Sequence, residues 1–551
     1  MGPTPRYAVV IVVALCFLIT PLCEKSQTKP VKKPLSGRVA GRVTIKGKGA
    51  PSVVVALHLS EMNSRFDPSY KATTDQDGNY LIIDVPAGSY EVMTVAPAFV
   101  LADLKNPRNQ IVVLGEGESV ENIDFSLVRG GVITGKVIDA DGRPVIQQQV
   151  SLYRADAFEQ QSQQRGQIYP VSGLNTDDRG IYRMFGIAAG RYKVALGRDD
   201  NALSGSVAIG RASYKRVFHP DVTDQAKATV IEVSEGSEAT NVDITLGRAM
   251  EMFRASGRVI DDEKGLPIPN VKFGLQRMIG DHSEYVNSLV TSNSHGDFII
   301  ESLIPGKYSV FQWPEPNNEL RIDATSFDVV DQDVEALTIK LTKGAGLAGV
   351  VLLEGENESA FAKLVQLQLQ AYVSVPGGGS GIGRSAISFV GPDGSFHFGG
   401  LSSGTANISL SGTRDNKQLR GFTIIRVERE GIVQPRGIEL KEGEQVTGVR
   451  LIVSYGNATL RGVVVLANGA LPANGSIFVR LVRPGETSDP IRPPSVDARG
   501  HFLIDGLQGG LYELSVSVFW PGGKPRPPVK QQVNLQDGSI GDVTITIDIG
   551  Q

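Results

Sequence analysis

The chain is poor in the residues that usually make sites. Its 551 residues hold 2 cysteines, 2 tryptophans and 6 histidines. Both cysteines, Cys16 and Cys23, fall in the N-terminal segment, so the remainder of the chain has neither disulfides nor thiolate chemistry and must stand on hydrophobic cores. The histidines, at 58, 219, 282, 295, 397 and 501, lack metal-ligand spacing, and no metal or other cofactor is expected. Charge of one sign is also missing. Lys and Arg number 55 against 59 Asp and Glu, a net charge of −4 without a basic stripe, which argues against nucleic acid as a partner. Beyond the N-terminal segment no window keeps a helical period and no apolar run is long enough to span a bilayer, so the mature chain is expected to have no membrane span.

What is abundant is glycine, 63 residues, and it falls in a pattern. Gly78-Asn79-Tyr80 is followed ten residues later by Gly88-Ser89-Tyr90, with Val85 between them. The same spacing returns at Gly180/Tyr182 with Gly190/Tyr192, Gly296/Phe298 with Gly306/Tyr308, Gly394/Phe396 with Gly404/Ala406, and Gly500/Phe502 with Gly510/Tyr512. The midpoints are Ile187, Leu303, Leu401 and Leu507. A chain of this length needs several domains, and five copies of one hairpin predict five.

Each copy follows one plan. A Gly-x-Val strand opens it (Gly41, Gly135, Gly257, Gly349, Gly462), a Pro-containing turn and a second alternating strand come next, and a loop of uneven length precedes the hairpin. An alternating strand closes it, as in Asn122-Ile123-Asp124-Phe125-Ser126-Leu127. Period-two alternation bounded by Gly, Pro, Asn and Asp is the signal of strands in a β-sandwich. It puts Tyr80 with Ile82, and Tyr90 with Val92, on single faces. Eight to eleven residues separate each closing strand from the next Gly-x-Val, so a semi-rigid, elongated rod is expected.

Residues 1–23 carry Arg6 and an apolar run from Ala8 to Ile19, the make-up of a signal peptide. A retained short anchor is the alternative. Residues 24–36, basic and Pro-containing, read as a linker. The sandwich repeats are placed at 37–128, 132–247, 255–342, 346–454 and 458–549.

The pattern Gly-x-Val…Asp-x-x-Gly-x-Tyr…Pro-x-Gly-x-Tyr, clearest in Thr74–Tyr80 and Val85–Tyr90, resembles the carboxypeptidase regulatory-like domain family. The resemblance covers the five repeats and implies transthyretin-like, seven-stranded sandwiches of prealbumin or immunoglobulin type, related to starch-binding and collagen-adhesin B-type modules. The family occurs as accessory modules on many exported bacterial proteins. The segment Tyr214–Pro220 followed by Ile231-Glu232-Val233 looks like a loop common in multi-repeat proteins of this kind. Repeat four departs from the pattern at Gly391 and Ala406.

Four motifs tempt a chemical reading. His58-Leu59-Ser60-Glu61 matches H-x-x-E, but on a strand and without a third ligand, so a solvent-facing strand histidine is preferred. Asp75-x-Asp77-Gly78 and Asp139-x-Asp141-Gly142 look like pieces of calcium loops, yet aspartates before glycine are equally what tight turns demand. The run Gly377–Gly383 lacks the Lys-Ser/Thr of a P-loop and a following helix, and reads as a loop. Lys136 with Asp243 or Asn241 is the only pair placed for an isopeptide cross-link of the adhesin type. No motif supports an enzyme, and no catalytic residue is expected. Trp313 and Trp520 both come after a hairpin strand and precede proline. They are the candidate ligand-binding residues, as sugar-stacking rings, against the alternative that each packs on its own or a neighbouring domain.

The reading is therefore an all-β tandem array of five antiparallel sandwiches behind a signal segment. It is expected to be exported (periplasmic, cell-surface or secreted) and non-enzymatic, a scaffold or adhesion module with a protein or polysaccharide partner at the cell envelope. Carbohydrate binding through end-loop aromatics, and an accessory role beside an envelope enzyme or receptor, are the alternatives.

Overall fold

The computed structural model describes residues 35–59, 70–103, 110–156, 170–197, 214–280, 282–316, 318–323, 325–355, 358–374, 385–413, 421–472, 474–484, 493–524 and 526–550. The signal segment, nearly all of the linker, Glu61 and the Gly377–Gly383 run lie outside them. Among the described residues no helix is long and apolar enough to cross a membrane.

The chain is an all-β tandem array. Among the described residues five large hydrophobic cores succeed one another along it, and each is enclosed between two sheets. In the first unit one face of the core is the sheet holding Gly37–Ile45, Asn79–Val85 and Phe125–Arg129. The other is the four-stranded sheet in the order Tyr70–Thr73, Val54–Leu59, Gly88–Val95, Ile111–Leu114. The two hairpin strands thus go to opposite sheets, and their inward residues Tyr80, Ile82, Val85, Tyr90 and Val92 are all buried. Fully burying a side chain of that size is worth about 1.5–3 kcal/mol, so the signature repeats because it is the centre of each core.

The opening strand of every unit departs from the antiparallel pattern. It runs parallel to the closing one, with Val43 opposite Phe125, Val137 opposite Ile244, Val259 opposite Ile339, Val351 opposite Leu451 and Val464 opposite Ile545. Parallel neighbours need a long crossover, and here the whole unit is that crossover. In the first four units the Gly of Gly-x-Val sits where the closing strand comes closest, and in the fifth Gly462 makes room for the Phe502 ring. A methyl group on Gly41 would meet the Ile123 carbonyl oxygen at 2.0 Å, and one on Gly257 the Leu337 oxygen at 1.8 Å.

The structure corrects the linker lengths. The opening strands begin well before Gly-x-Val, so that single residues, Gly130 and Gly344, separate Phe125–Arg129 from Gly131–Ile138 and Val334–Lys343 from Ala345–Leu353. A β-bulge causes the mismatch: in every unit the register of the opening strand against the first hairpin strand shifts near its start. Opposite the bulge the backbone turns to positive φ, at Asp84 (58°), Gly186 (68°), Ser302 (62°), Gly400 (65°) and Gly506 (71°). At Gly186 and Gly400 the preceding unit presses in. A methyl group on Gly186 would lie 2.5 Å from the Pro97 oxygen, and one on Gly400 2.6 Å from the Leu320 oxygen. These junctions leave neighbouring units little freedom.

The elongated rod is also corrected. The fifth unit touches the first, with the Asp497 carboxylate and the Arg499 guanidinium both bonded to the backbone of Val113. The array closes on itself. A further departure is the short α-helix Glu358–Leu364, whose Ala360 and Leu364 are buried in the fourth core.

Candidate functional site

The residues with chemical potential in the signature are occupied by the fold. In four of the five hairpins the second tyrosine closes a local clamp on the carbonyl four residues back; the fourth has Ala406 there. Tyr90 donates to Pro86 O (2.8 Å), Tyr192 to Ala188 O (2.9 Å), Tyr308 to Ile304 O (2.8 Å) and Tyr512 to Gln508 O (2.9 Å). The first tyrosine reaches the closing strand, Tyr80 to Ile123 O (2.7 Å) and Tyr182 to Val242 O (2.5 Å). Burial, with Asp124 and Asp243 nearby, pushes the pKa of these two hydroxyls up, so they stay protonated donors.

The aspartates before glycine cap turns. One oxygen of Asp75 accepts the N–H groups of Asp77 (3.0 Å) and Asn79 (2.8 Å), and one of Asp139 accepts those of Asp141 (2.9 Å) and Arg143 (2.8 Å). The bond from the Asn79 N–H is the main reason the Asp75 pKa is lowered. In the fourth unit, where Gly391 replaces the aspartate, Asp393 takes over by accepting from the N–H (3.0 Å) and hydroxyl (2.6 Å) of Ser395. Asp243 accepts the backbone N–H of Lys136 at 2.7 Å, as Asp124 does that of Arg42 at 2.8 Å. This carboxylate has a structural partner in both units, and the first of them has no lysine there. His58 stands on the strand Val54–Leu59 opposite Glu91, half-buried. Among the described residues no three His, Cys, Asp or Glu are grouped to hold a metal ion.

The two tryptophans are not equivalent. Trp313 comes five residues after Tyr308, Trp520 eight after Tyr512, so on alternating strands they have opposite parity. Trp313 lies on the outer side of the third unit, 38% exposed, with Tyr285 and Phe311 each 6.4 Å away between ring centres. Phe311 is folded flat onto Gly274, where a methyl group would meet its ring at 2.2 Å. Beside Trp313, Lys272 pairs with Glu315 at 2.6 Å. The result is one outward ring, Trp313, backed by the buried Phe311, with a charged pair at its border. Trp520 is half-buried, with the Arg526 guanidinium 5.5 Å over its ring. Arg526 in turn donates to the carbonyls of Asp548 (2.5 Å) and Gly550 (2.9 Å). One face of this ring is spent on fastening the last strand. The parity of the two rings could have been counted from sequence, but the cover over Trp520 could not.

A cavity of about 420 Å³ between the first and second units went unforeseen. Met93, Phe99 and Leu101 line its apolar side, with Arg154 and Tyr192 opposite. The Arg154 guanidinium lies 6.0 Å from the Tyr192 ring centre and 3.3 Å from the Asp156 carboxylate, so its charge is already balanced.

The chain matches no protein-family model and no curated protein. Solved structures with local likeness include a streptococcal ancillary pilin, 12% identical over 56% of this chain and 99% of that one, at a TM-score of 0.22. The TIE protein of Bacillus anthracis is 12% identical over 89% and 74% of the two chains, at 0.16. A minor pilin of Streptococcus agalactiae is 13% identical over 39% and 96%, at 0.20. Superpositions this loose leave the function to be read from the chain's own residues. Those residues define a class, the tandem all-β sandwich protein.

Proposed function

We propose that the chain is an exported, non-enzymatic scaffold or adhesion protein, a tandem of carboxypeptidase regulatory-like domains with the boundaries 37–128, 132–247, 255–342, 346–454 and 458–549. The observation that carries this reading is the junction. At two of the four junctions a one-residue connection, with Gly186 or Gly400 pressed against the preceding unit, holds neighbouring sandwiches at set positions, which is what a protein that presents surfaces requires. The Tyr and Asp residues of the signature serve the same end, since their polar groups fasten strands and turns. Two experiments test it. Residues 458–549 made alone fold cooperatively if the unit is a domain. The segment 1–36, fused to a periplasmic reporter, carries it across the membrane if the chain is exported; a reporter left in the cytoplasm refutes export.

The second reading, carbohydrate binding, rests on Trp313, whose exposed ring is flanked by the half-buried Tyr285 and backed by the buried Phe311, since an exposed flat ring beside hydrogen-bonding groups suits a pyranose face. Pull-down of residues 24–551 on a polysaccharide panel tests it. Saturable binding that falls at least tenfold with Trp313→Ala, and not with Trp520→Ala, establishes it; no binding across the panel leaves the scaffold reading.

A further inference from the structure

The contact between the two ends of the array is built from a single turn. In the fifth unit Asp497-Ala498-Arg499-Gly500 forms the usual cap, one Asp497 oxygen accepting the N–H groups of Arg499 (3.0 Å) and His501 (2.8 Å). The other Asp497 oxygen holds the Arg499 guanidinium through Nε (3.0 Å) and Nη2 (2.8 Å). So oriented, Arg499 Nη2 donates to Val113 O at 2.6 Å and Nη1 to the Glu118 carboxylate at 3.3 Å, while Val113 N donates back to Asp497 at 3.3 Å. Asp497 is 1% exposed and Val113 4%. Val113 belongs to Ile111–Leu114, the edge strand of the first unit's four-stranded sheet.

An edge strand offers unpaired N–H and C=O groups, and a carboxylate–guanidinium pair presents one acceptor beside one donor. Here the pair meets both backbone groups of one edge residue, much as another strand would. Glu118 is itself tied down by accepting the Gly115 N–H at 2.6 Å. Its companion Glu116 accepts the Leu35 N–H at 3.1 Å, and both glutamates act on Arg461, which is paired with Asp542 at 2.9 Å.

We propose that the Asp497–Arg499 pair is a clasp that docks the fifth unit on the first unit's sheet edge and holds the five sandwiches as a closed loop. The occupant of that edge is the chain's own last unit, and release of the clasp converts the loop into an open array with the Ile111–Leu114 edge exposed. The clasp is independent of whether the protein binds sugars. It joins residues more than 380 positions apart through ionic hydrogen bonds, which are directional and break without disturbing either core.

The test uses the chain 24–551 in three variants. Arg499→Ala removes the guanidinium. Asp497→Asn keeps the turn, because Asn293 caps the corresponding turn of the third unit with bonds of 2.8 and 2.9 Å, but loses the charge that orients Arg499. Arg179→Ala removes the matching arginine of the second unit and serves as control. Small-angle scattering reads the shape and hydrogen exchange the Val113 amide. The expected result is a compact wild type whose radius of gyration rises in Arg499→Ala and Asp497→Asn. Protection of Val113 falls about tenfold to a hundredfold in both, the loss of a charged hydrogen bond, while Arg179→Ala changes neither. An extended wild type, or Arg499→Ala scattering that superimposes on wild type, overturns the clasp. A wild type of doubled mass that the variants return to single mass also overturns it, by placing the contact between two chains.

Discussion

The second and fifth units carry one turn in two settings. Asp177-Asp178-Arg179-Gly180 and Asp497-Ala498-Arg499-Gly500 share the Asp-x-Arg-Gly pattern and the cap, with Asp177 accepting from Arg179 N (2.9 Å) and Ile181 N (2.7 Å). Their glycines stand at φ of 72° and 83°. Yet Asp177 and Arg179 face solvent, whereas Asp497 is buried against the first unit. The turn is thus a local object that forms wherever its residues occur, and its arginine acquires a role only where another unit's sheet edge lies within reach.

The comparison is broken most forcefully at the glycines. Gly180→Ala and Gly500→Ala force a side chain into left-handed backbone, at a cost of about 1–3 kcal/mol. They also set a methyl group 2.5 Å from Val137 O and 2.2 Å from Val464 O respectively. Calorimetry should show the melting of each unit lowered by similar amounts, because the strain is local. A large difference would mean that the turns are not equivalent even by themselves.

The aspartates should separate the two settings. Asp177→Ala loses two capping bonds at about 1 kcal/mol each. Asp497→Ala loses the same two and also removes the nearer of the two carboxylates paired with the partly buried Arg499, leaving only Glu118 and adding about 1–3 kcal/mol. Parallel melting of both variants checks this; equal losses would remove the fifth unit's special standing.

The smallest effect is on acid stability, and the first unit's version of the turn shows it. Backbone donation from Asn79 holds the Asp75 carboxylate below its usual range. The depressed pKa means that its contribution is fully present above the unfolded value, about 3.9, and is lost as pH falls through the lower folded value. Asp75→Asn keeps the cap, as Asn293 does, and should flatten that part of the pH–melting curve below about pH 4. An unchanged curve would show that the cap is indifferent to charge.

Much of each unit was legible from the sequence. Strands alternate with period two because the pleat does, and the buried set from Tyr80 to Val92 is the set that alternation puts on one face. Turn aspartates were readable since capping depends on neighbours two and four residues away. The bulges were not, because a residue at positive φ can be Asp84 or Ser302 as well as Gly186, and the choice records what presses from outside. The helix Glu358–Leu364 had a signal in Ala360 and Leu364, four residues apart, too short to register as a period. At the candidate site the sequence marked Trp313 and Trp520 alike. The Tyr285 neighbour of one lies on a different strand, and the Arg526 cover of the other belongs to the loop beyond its own strand. Neither could be placed by counting along the chain.

The amino-acid order by itself determined five β units, their cores and their turns, because these depend on side-chain alternation and on contacts a few residues apart. Only the tertiary structure decided that opening and closing strands pair in parallel, that glycine bulges seat the preceding unit, and that Arg499 rather than Arg179 finds a sheet edge. Those outcomes depend on where whole units come to rest, and a motif of four residues holds no record of what will lie opposite it.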